Sequence, residues 1–196
     1  MRHLLHLALL PLIAAGLGGC LNFPGCDNHH GDRDDENRIM EPVVFEYEYI
    51  NHAWGYRHHG FYIENDGHIR GYNMPKEWKE TDSTGTISAS DVKFNISQCD
   101  SLYGKVDKED LLYHFGLLED AGNGKIRELP ITMADAGVGT LYGYYLDPHN
   151  NMMQRVFLAC NGDVNKENIT SAARMITTWL IEVGQSTDRF FWFKGD

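Results

Sequence analysis

Ten histidines and four cysteines give this 196-residue chain its widest choice of chemistry. Asp27, His29, His30, Asp32 and Asp34 crowd one short polar stretch. Imidazole beside carboxylate suits zinc, nickel or copper, and a donor-rich tether captures a divalent metal weakly without a preformed cage. A second cluster, Asn51 to Ile63, holds His52, His58 and His59, with His68 a short way beyond. Adjacent residues on a strand point to opposite faces, so His58 and His59 do not readily share one ion. Cys99 and Cys160 lie among core-forming residues, and in an oxidising compartment the first expectation is a disulfide between them, with Cys26 left over. An unpaired thiol becomes a catalyst only where an imidazole takes its proton and a third group orients the ring.

The elements that would position these groups are legible in the periodicity. Val43 to Ile50 alternates, with Val43, Phe45, Tyr47 and Tyr49 on one face and Val44, Glu46, Glu48 and Ile50 on the other, which predicts a strand. Gly60 to Ile63 and His68 to Tyr72 flank Asn65-Asp66-Gly67, a strong hairpin signal. Residues 74 to 85 read as a loop. The stretch 90 to 102 fits both periods, and the Ser90-Asp91 start favours a helix. Asp107 to Ala121 reads as a helix stopped by Gly122, and Gly139 to Leu146 with Met153 to Cys160 as a second hairpin. Ile169 to Val183 carries the longest helical stripe, with Gly184 as its C-cap. The tail Phe190-Phe191-Trp192-Phe193 is too apolar to dangle and is expected to pack back on the domain. Together these predict an α+β fold: an antiparallel sheet of about five strands, two hairpins plus a leading strand, with two to three helices on one face.

The start of the chain carries its own pattern. Met1-Arg2-His3, a mostly apolar run from Leu4 to Ala15, and Leu17-Gly18-Gly19-Cys20 follow the order of an export leader, and the run is too short to span a bilayer. Leu17-Gly18-Gly19-Cys20 resembles the lipobox of bacterial lipoproteins. That resemblance implies cleavage before Cys20, acylation of Cys20 and attachment to a membrane. Residue 21 is Leu rather than Asp, which by the same resemblance points to the outer membrane of a two-membrane cell, and otherwise to the cell surface. The expected organisation is a leader over 1–19, an acidic flexible tether over 20–39 and one globular domain over 40–196.

The segment His58-His59-Gly60-Phe61-Tyr62 resembles the His-x-Gly-x-Tyr strand of papain-like enzymes of the NlpC type and of their permuted relatives. The resemblance implies a thiol hydrolase or acyltransferase, with His58 as base, Cys160 as nucleophile and His68 as orienting group. The alternative is a structural hairpin whose aromatics fill a core.

The formal charge of −11 argues against nucleic-acid binding and against docking on anionic lipid heads, so the lipid alone would hold the chain to its membrane. Asp163-Val164-Asn165 opens like a calcium loop, but Arg174 stands where a bidentate carboxylate is needed. No P-loop, Gly-x-Ser-x-Gly elbow, dinucleotide fingerprint or His-Glu-x-x-His is present. The leading expectation is a non-enzymatic envelope lipoprotein that binds an envelope protein or small ligand without a cofactor. Cys-His catalysis and metal capture by the tether are the alternatives.

Overall fold

The computed structural model describes residues 39–131, 133–147, 149–187, 190 and 192. Cys20, Cys26 and the tether donors Asp27, His29, His30, Asp32 and Asp34 lie outside them. The described part belongs to one unit, Glu36–Asp196.

Alternating β-branched and aromatic residues build β1 (Val43–Asn51) at the middle of the sheet. It pairs antiparallel with β2 (Arg57–Glu64) on one side and with β7 (Val138–Asp147) on the other. β3 (His68–Asn73) returns from β2 across the Asp66-Gly67 turn, where Gly67 takes φ +90° and donates its N–H to Glu64 O at 2.9 Å. β8 (Met152–Gly162) returns from β7 as the second hairpin. Both hairpins therefore stand where the alternation put them, and the fold is α+β with an antiparallel sheet.

Four short strands extend the sheet to nine. β4 (Thr86–Ser88) pairs with β8, and β5 (Ser101–Lys105) with β3. β6 (Ile126–Glu128) pairs with β9 (Lys166–Asn168), which pairs with β8. The path runs β5-β3-β2-β1-β7-β8-β9-β6. Three of these strands are only three residues long, too short for alternation to register, so the expected five became nine.

The helices divide between the two faces. α2 (Lys108–Gly116), the single-turn α3 (Leu118–Gly122) and α4 (Ser171–Gln185) cover the face bearing Phe45, Tyr47, Phe61, Ile63, Leu141 and Leu158. α1 (Ala89–Ser97) covers the other face, where Val92 packs with Val43, Tyr62, Tyr72, Tyr144 and Met153. The expectation of helices on one face is thus corrected, because α1 and residues 74–88 have their own apolar layer to bury. A bulge between Val43 and Phe45 puts Val43 in this second layer and Val44 in the first, exchanging their expected faces.

The helix expected over 90–102 ends at Ser97, and the chain then turns into β5. The helix expected over 107–121 breaks at Leu117; Asp107 caps its start, accepting from the N–H groups of Glu109 and Asp110. α4 has the expected stripe, with Thr170 Oγ1 capping Ala173 N–H at 3.1 Å. Its C-cap is Ser186 rather than Gly184. Gly184 is small for a different reason: the Phe190 ring lies where its Cβ would stand. Phe190 and Trp192 pack on the first core layer, so these two tail residues fold back as expected.

Candidate functional site

β1 points Glu46 and Glu48, two residues apart, to the same face of the sheet. Side chains there would meet water on a two-layer protein, but here α1 and residues 74–88 cover them, and both carboxylates are buried. Burying two charges costs several kcal/mol each unless partners replace the lost water, and the partners come from four strands.

Glu46 Oε1 accepts from the Tyr72 hydroxyl at 3.1 Å, and Oε2 from the Tyr144 hydroxyl at 2.5 Å. Tyr72 sits on β3, two strands from Glu46. It reaches across β2 over Gly60, whose missing Cβ would stand 2.7 Å from the phenol oxygen. Glu48 Oε1 lies 3.1 Å from His58 Nε2. Arg155 on β8 lies over the Tyr142 ring, 4.1 Å from its centroid, and brings the compensating positive charge.

From above, Trp78 closes the cluster. Its ring stacks on Tyr62 (5.7 Å, 7°), tilts against Tyr72 (4.4 Å) and meets His58 edge-on (5.1 Å). Glu80, two residues further on, faces Glu48, Arg155 and His58. Asn95 of α1 brackets the strap: its Oδ1 accepts from Lys79 N–H at 2.9 Å and its Nδ2 donates to Lys79 O at 2.8 Å.

Burial first, then the neighbouring charge of Glu48, raises the Glu46 carboxyl from 4.5 to about 7, although Arg155 and the two phenols pull it down. Burial and then Glu46 push the Tyr62, Tyr72 and Tyr144 phenols well above their usual range, so they keep their protons and can donate. Burial and then Glu48 also raise Glu80. The arrangement is a buried acid that changes charge near neutrality, next to a second buried carboxylate in contact with an imidazole. Acid–base chemistry on a substrate would require the Trp78 strap to move, since Glu46 is only 1% exposed.

The structure does not assemble the Cys-His site. His58 points to the Trp78 side, whereas Cys160 lies two residues beyond Leu158 on the opposite face of the sheet, lining a cleft of about 500 Å³ with Ile181 and Trp192. Cys160 is buried, its thiol donates to Val164 O at 3.6 Å, and burial raises its pKa. His68 stands at the far end of the hairpin from His58, with Nδ1 2.7 Å from Asp66 Oδ2. The imidazole that the motif singled out serves a carboxylate instead.

Cys99 and Cys160 are both free thiols, which corrects the expected disulfide. Cys99 follows α1, near Glu64 and Arg70 and beside β3, and Cys160 is on β8. β3 and β8 lie four strand spacings apart, about 19 Å, and a disulfide needs Cα atoms within about 7 Å. Burial, then Glu64, pushes the Cys99 thiol up to about 12.

Among the described residues, Glu64, Asp66 and His68 form one group whose donor atoms lie within 4.8 Å of one another, as a divalent ion would need. Each already has a partner: Arg70 Nε holds Glu64 Oε2 at 2.6 Å, and Asp66 holds His68.

The β1–β2 end of the sheet carries exposed apolar side chains: Trp54 (78%), Tyr56 (52%) and Met74 (44%). The loop is tied down. Ala53 N–H donates to Asn51 Oδ1 at 2.8 Å, Trp54 Nε1 to Asp135 O at 3.2 Å, and Met74 N–H to His58 O at 2.7 Å. His52 joins this end, 5.3 Å from the Tyr56 ring, and His59 stacks on Tyr49 at 4.6 Å on the other face.

Sequence reasoning named His58 but missed Glu46, Glu48, Tyr72 and Arg155 as its companions. The available signal was two glutamates alternating with aromatics in a strand whose neighbours are equally aromatic. Among the described residues no helix is long and apolar enough to cross a membrane. Comparison with family models, curated proteins and solved structures finds no match to this chain.

Proposed function

We propose that the protein is a bacterial envelope lipoprotein, anchored through Cys20, whose folded domain is a non-enzymatic binding module. The β1–β2 end of the sheet receives its partner, a protein surface that is apolar at its centre and basic at its rim. The observation that carries the docking reading is the exposed group Trp54, Tyr56 and Met74 on backbone fixed by hydrogen bonds. A pre-ordered aromatic patch loses little entropy on binding, and aromatic anchors supply most of the energy of an interface. The formal charge of −11 favours a basic partner. Anchoring rests on the Leu17-Gly18-Gly19-Cys20 motif.

Two measurements test the reading separately. Cells fed an alkyne-tagged fatty acid should label the full chain, and Cys20→Ser should abolish the label; a labelled Cys20→Ser protein refutes the anchor. A photo-crosslinking residue at position 54 should give one discrete protein adduct in cells. The same residue at Tyr113, an exposed position on α2, should give none. No adduct at 54, or equal adducts at both, refutes the docking surface.

A further inference from the structure

The strap of residues 74–88 and the acid beneath it carry an inference independent of the anchor; the strap begins at Met74, on the docking end. We propose that this strap, with α1, is a proton-controlled cover over the aromatic face of the sheet, closed while Glu46 holds its proton and loosened when Glu46 releases it to solvent.

The geometry concentrates charge under one weakly held element. Glu46 is faced by Glu48 on its own strand, by Tyr62 on β2, and by Tyr72 on β3. Tyr144 and Tyr142 face it from β7, Arg155 from β8 and Cys99 from just beyond α1, while His58 on β2 and Glu80 on the strap face its neighbour Glu48. With Glu46 neutral, Glu48 and Glu80 share the Arg155 guanidinium, and Glu48 also contacts the His58 ring. Loss of the proton adds another carboxylate charge at a position only 1% exposed. The charge it adds is poorly screened there.

Only one side of this cluster can yield at low cost. β1 is hydrogen-bonded on both edges, to β2 and β7, and those strands are themselves flanked by β3 and β8. Residues 74–85 contain no helix or strand. They are held by Met74 N–H on His58 O, the Trp78 stack, the Asn95 bracket on Lys79, a turn at Asp82, Gln154 Nε2 on Thr84 O, Arg155 N–H on Gly85 O and the three-residue ladder of β4 on β8. Segments with few backbone bonds open with the least free energy. As the strap lifts, Glu80 carries its carboxylate away from Glu48, and Trp78 leaves Tyr62, Tyr72 and His58 uncovered. Covered and uncovered states thus differ by one bound proton, and pH sets their ratio.

Hydrogen exchange of the full-length chain, corrected for the intrinsic pH dependence of exchange, tests this at pH 5.5 and 8.5. Peptides spanning 74–88 should lose protection by at least about tenfold at pH 8.5, while β1 and β7 peptides keep theirs. Glu46→Gln should hold the strap protected at both pH values. Glu80→Gln, at an exposed position that leaves the fold intact, should reduce the loss by about threefold. The proposal is overturned if the strap exchanges equally at both pH values, if β1 and β7 lose protection in step with it, or if Glu80→Gln leaves the pH response unchanged.

Discussion

Replacing Glu46 with glutamine should stabilise this protein at alkaline pH, the reverse of what removing a buried, hydrogen-bonded charge usually does. Below about pH 4.5 the carboxyl is protonated in both the folded and the unfolded chain, and its contribution is complete. From there to about pH 7 the folded protein keeps a proton that the unfolded chain has released, so stability falls as pH rises. Above about pH 7 both states are ionised and the full penalty stands. At about 1.4 kcal/mol for each tenfold change in proton affinity, a rise from 4.5 to about 7 amounts to about 3 kcal/mol.

Glutamine mimics the protonated acid. Its carbonyl oxygen accepts from one phenol, and its amide donates to the other phenol oxygen. Urea unfolding of the wild type and of Glu46→Gln, at pH 5 and pH 8.5, measures both quantities. The two proteins should agree within about 1 kcal/mol at pH 5, and the variant should be more stable by about 2–3 kcal/mol at pH 8.5. Glu80, raised in the same direction, leaves a smaller slope of the same sign in the variant. Asp82, lowered to about 2 by the Thr84 and Thr86 donors, acts only below about pH 4 and does not overlap. A variant destabilised equally at both pH values would refute the reasoning, because it would mean that Arg155 and the two phenols keep Glu46 ionised throughout.

Three further outcomes are expected. In native protein at pH 8, maleimide should label neither Cys99 nor Cys160, since both thiols are largely buried and raised; in urea without reductant it should label both, which mass spectrometry of the two peptides reads directly. Gly60→Ala should cost about 3 kcal/mol or more in a urea titration, because a Cβ there meets Tyr47 O on one side and the Tyr72 phenol on the other, both within 3 Å. Asn168→Ala should cost about 3 kcal/mol in the same titration, since its amide donates to the buried carbonyls of Ala121 and Phe157 while its oxygen accepts from Thr170 N–H.

Which parts of this fold were legible follows from how many residues repeat a pattern. β1, both hairpins and α4 each present six or more residues to a period of two or of 3.6, and they stand where that period puts them. β4, β6 and β9 offer three residues each and exist only because β8 or β9 presents an edge to pair with, a fact of tertiary structure. α1 met the same limit: its period was readable, but the layer it covers was not, because nothing in residues 74–88 announces that they close over a sheet.

The same cause hid the site. Polar residues alternating with apolar ones in a strand ordinarily mark a wet face, and nothing in β1 alone says that Glu46 and Glu48 are buried. What could have challenged that reading is the company on the neighbouring strands. Tyr62, Tyr72, Tyr142 and Tyr144 share the glutamates' face, and a face carrying four tyrosines on three strands is too apolar to be left to solvent. Once that face must be covered, two carboxylates at its centre must be paired or neutral. Arg155 and His58 pair part of that charge, and the raised Glu46 carboxyl neutralises the rest at the pH where it holds its proton. The motif that drew attention to His58 pointed to a residue of consequence for the wrong partner: the imidazole serves Glu48 across β1 and β2, and the thiol on β8 faces the other side of the sheet.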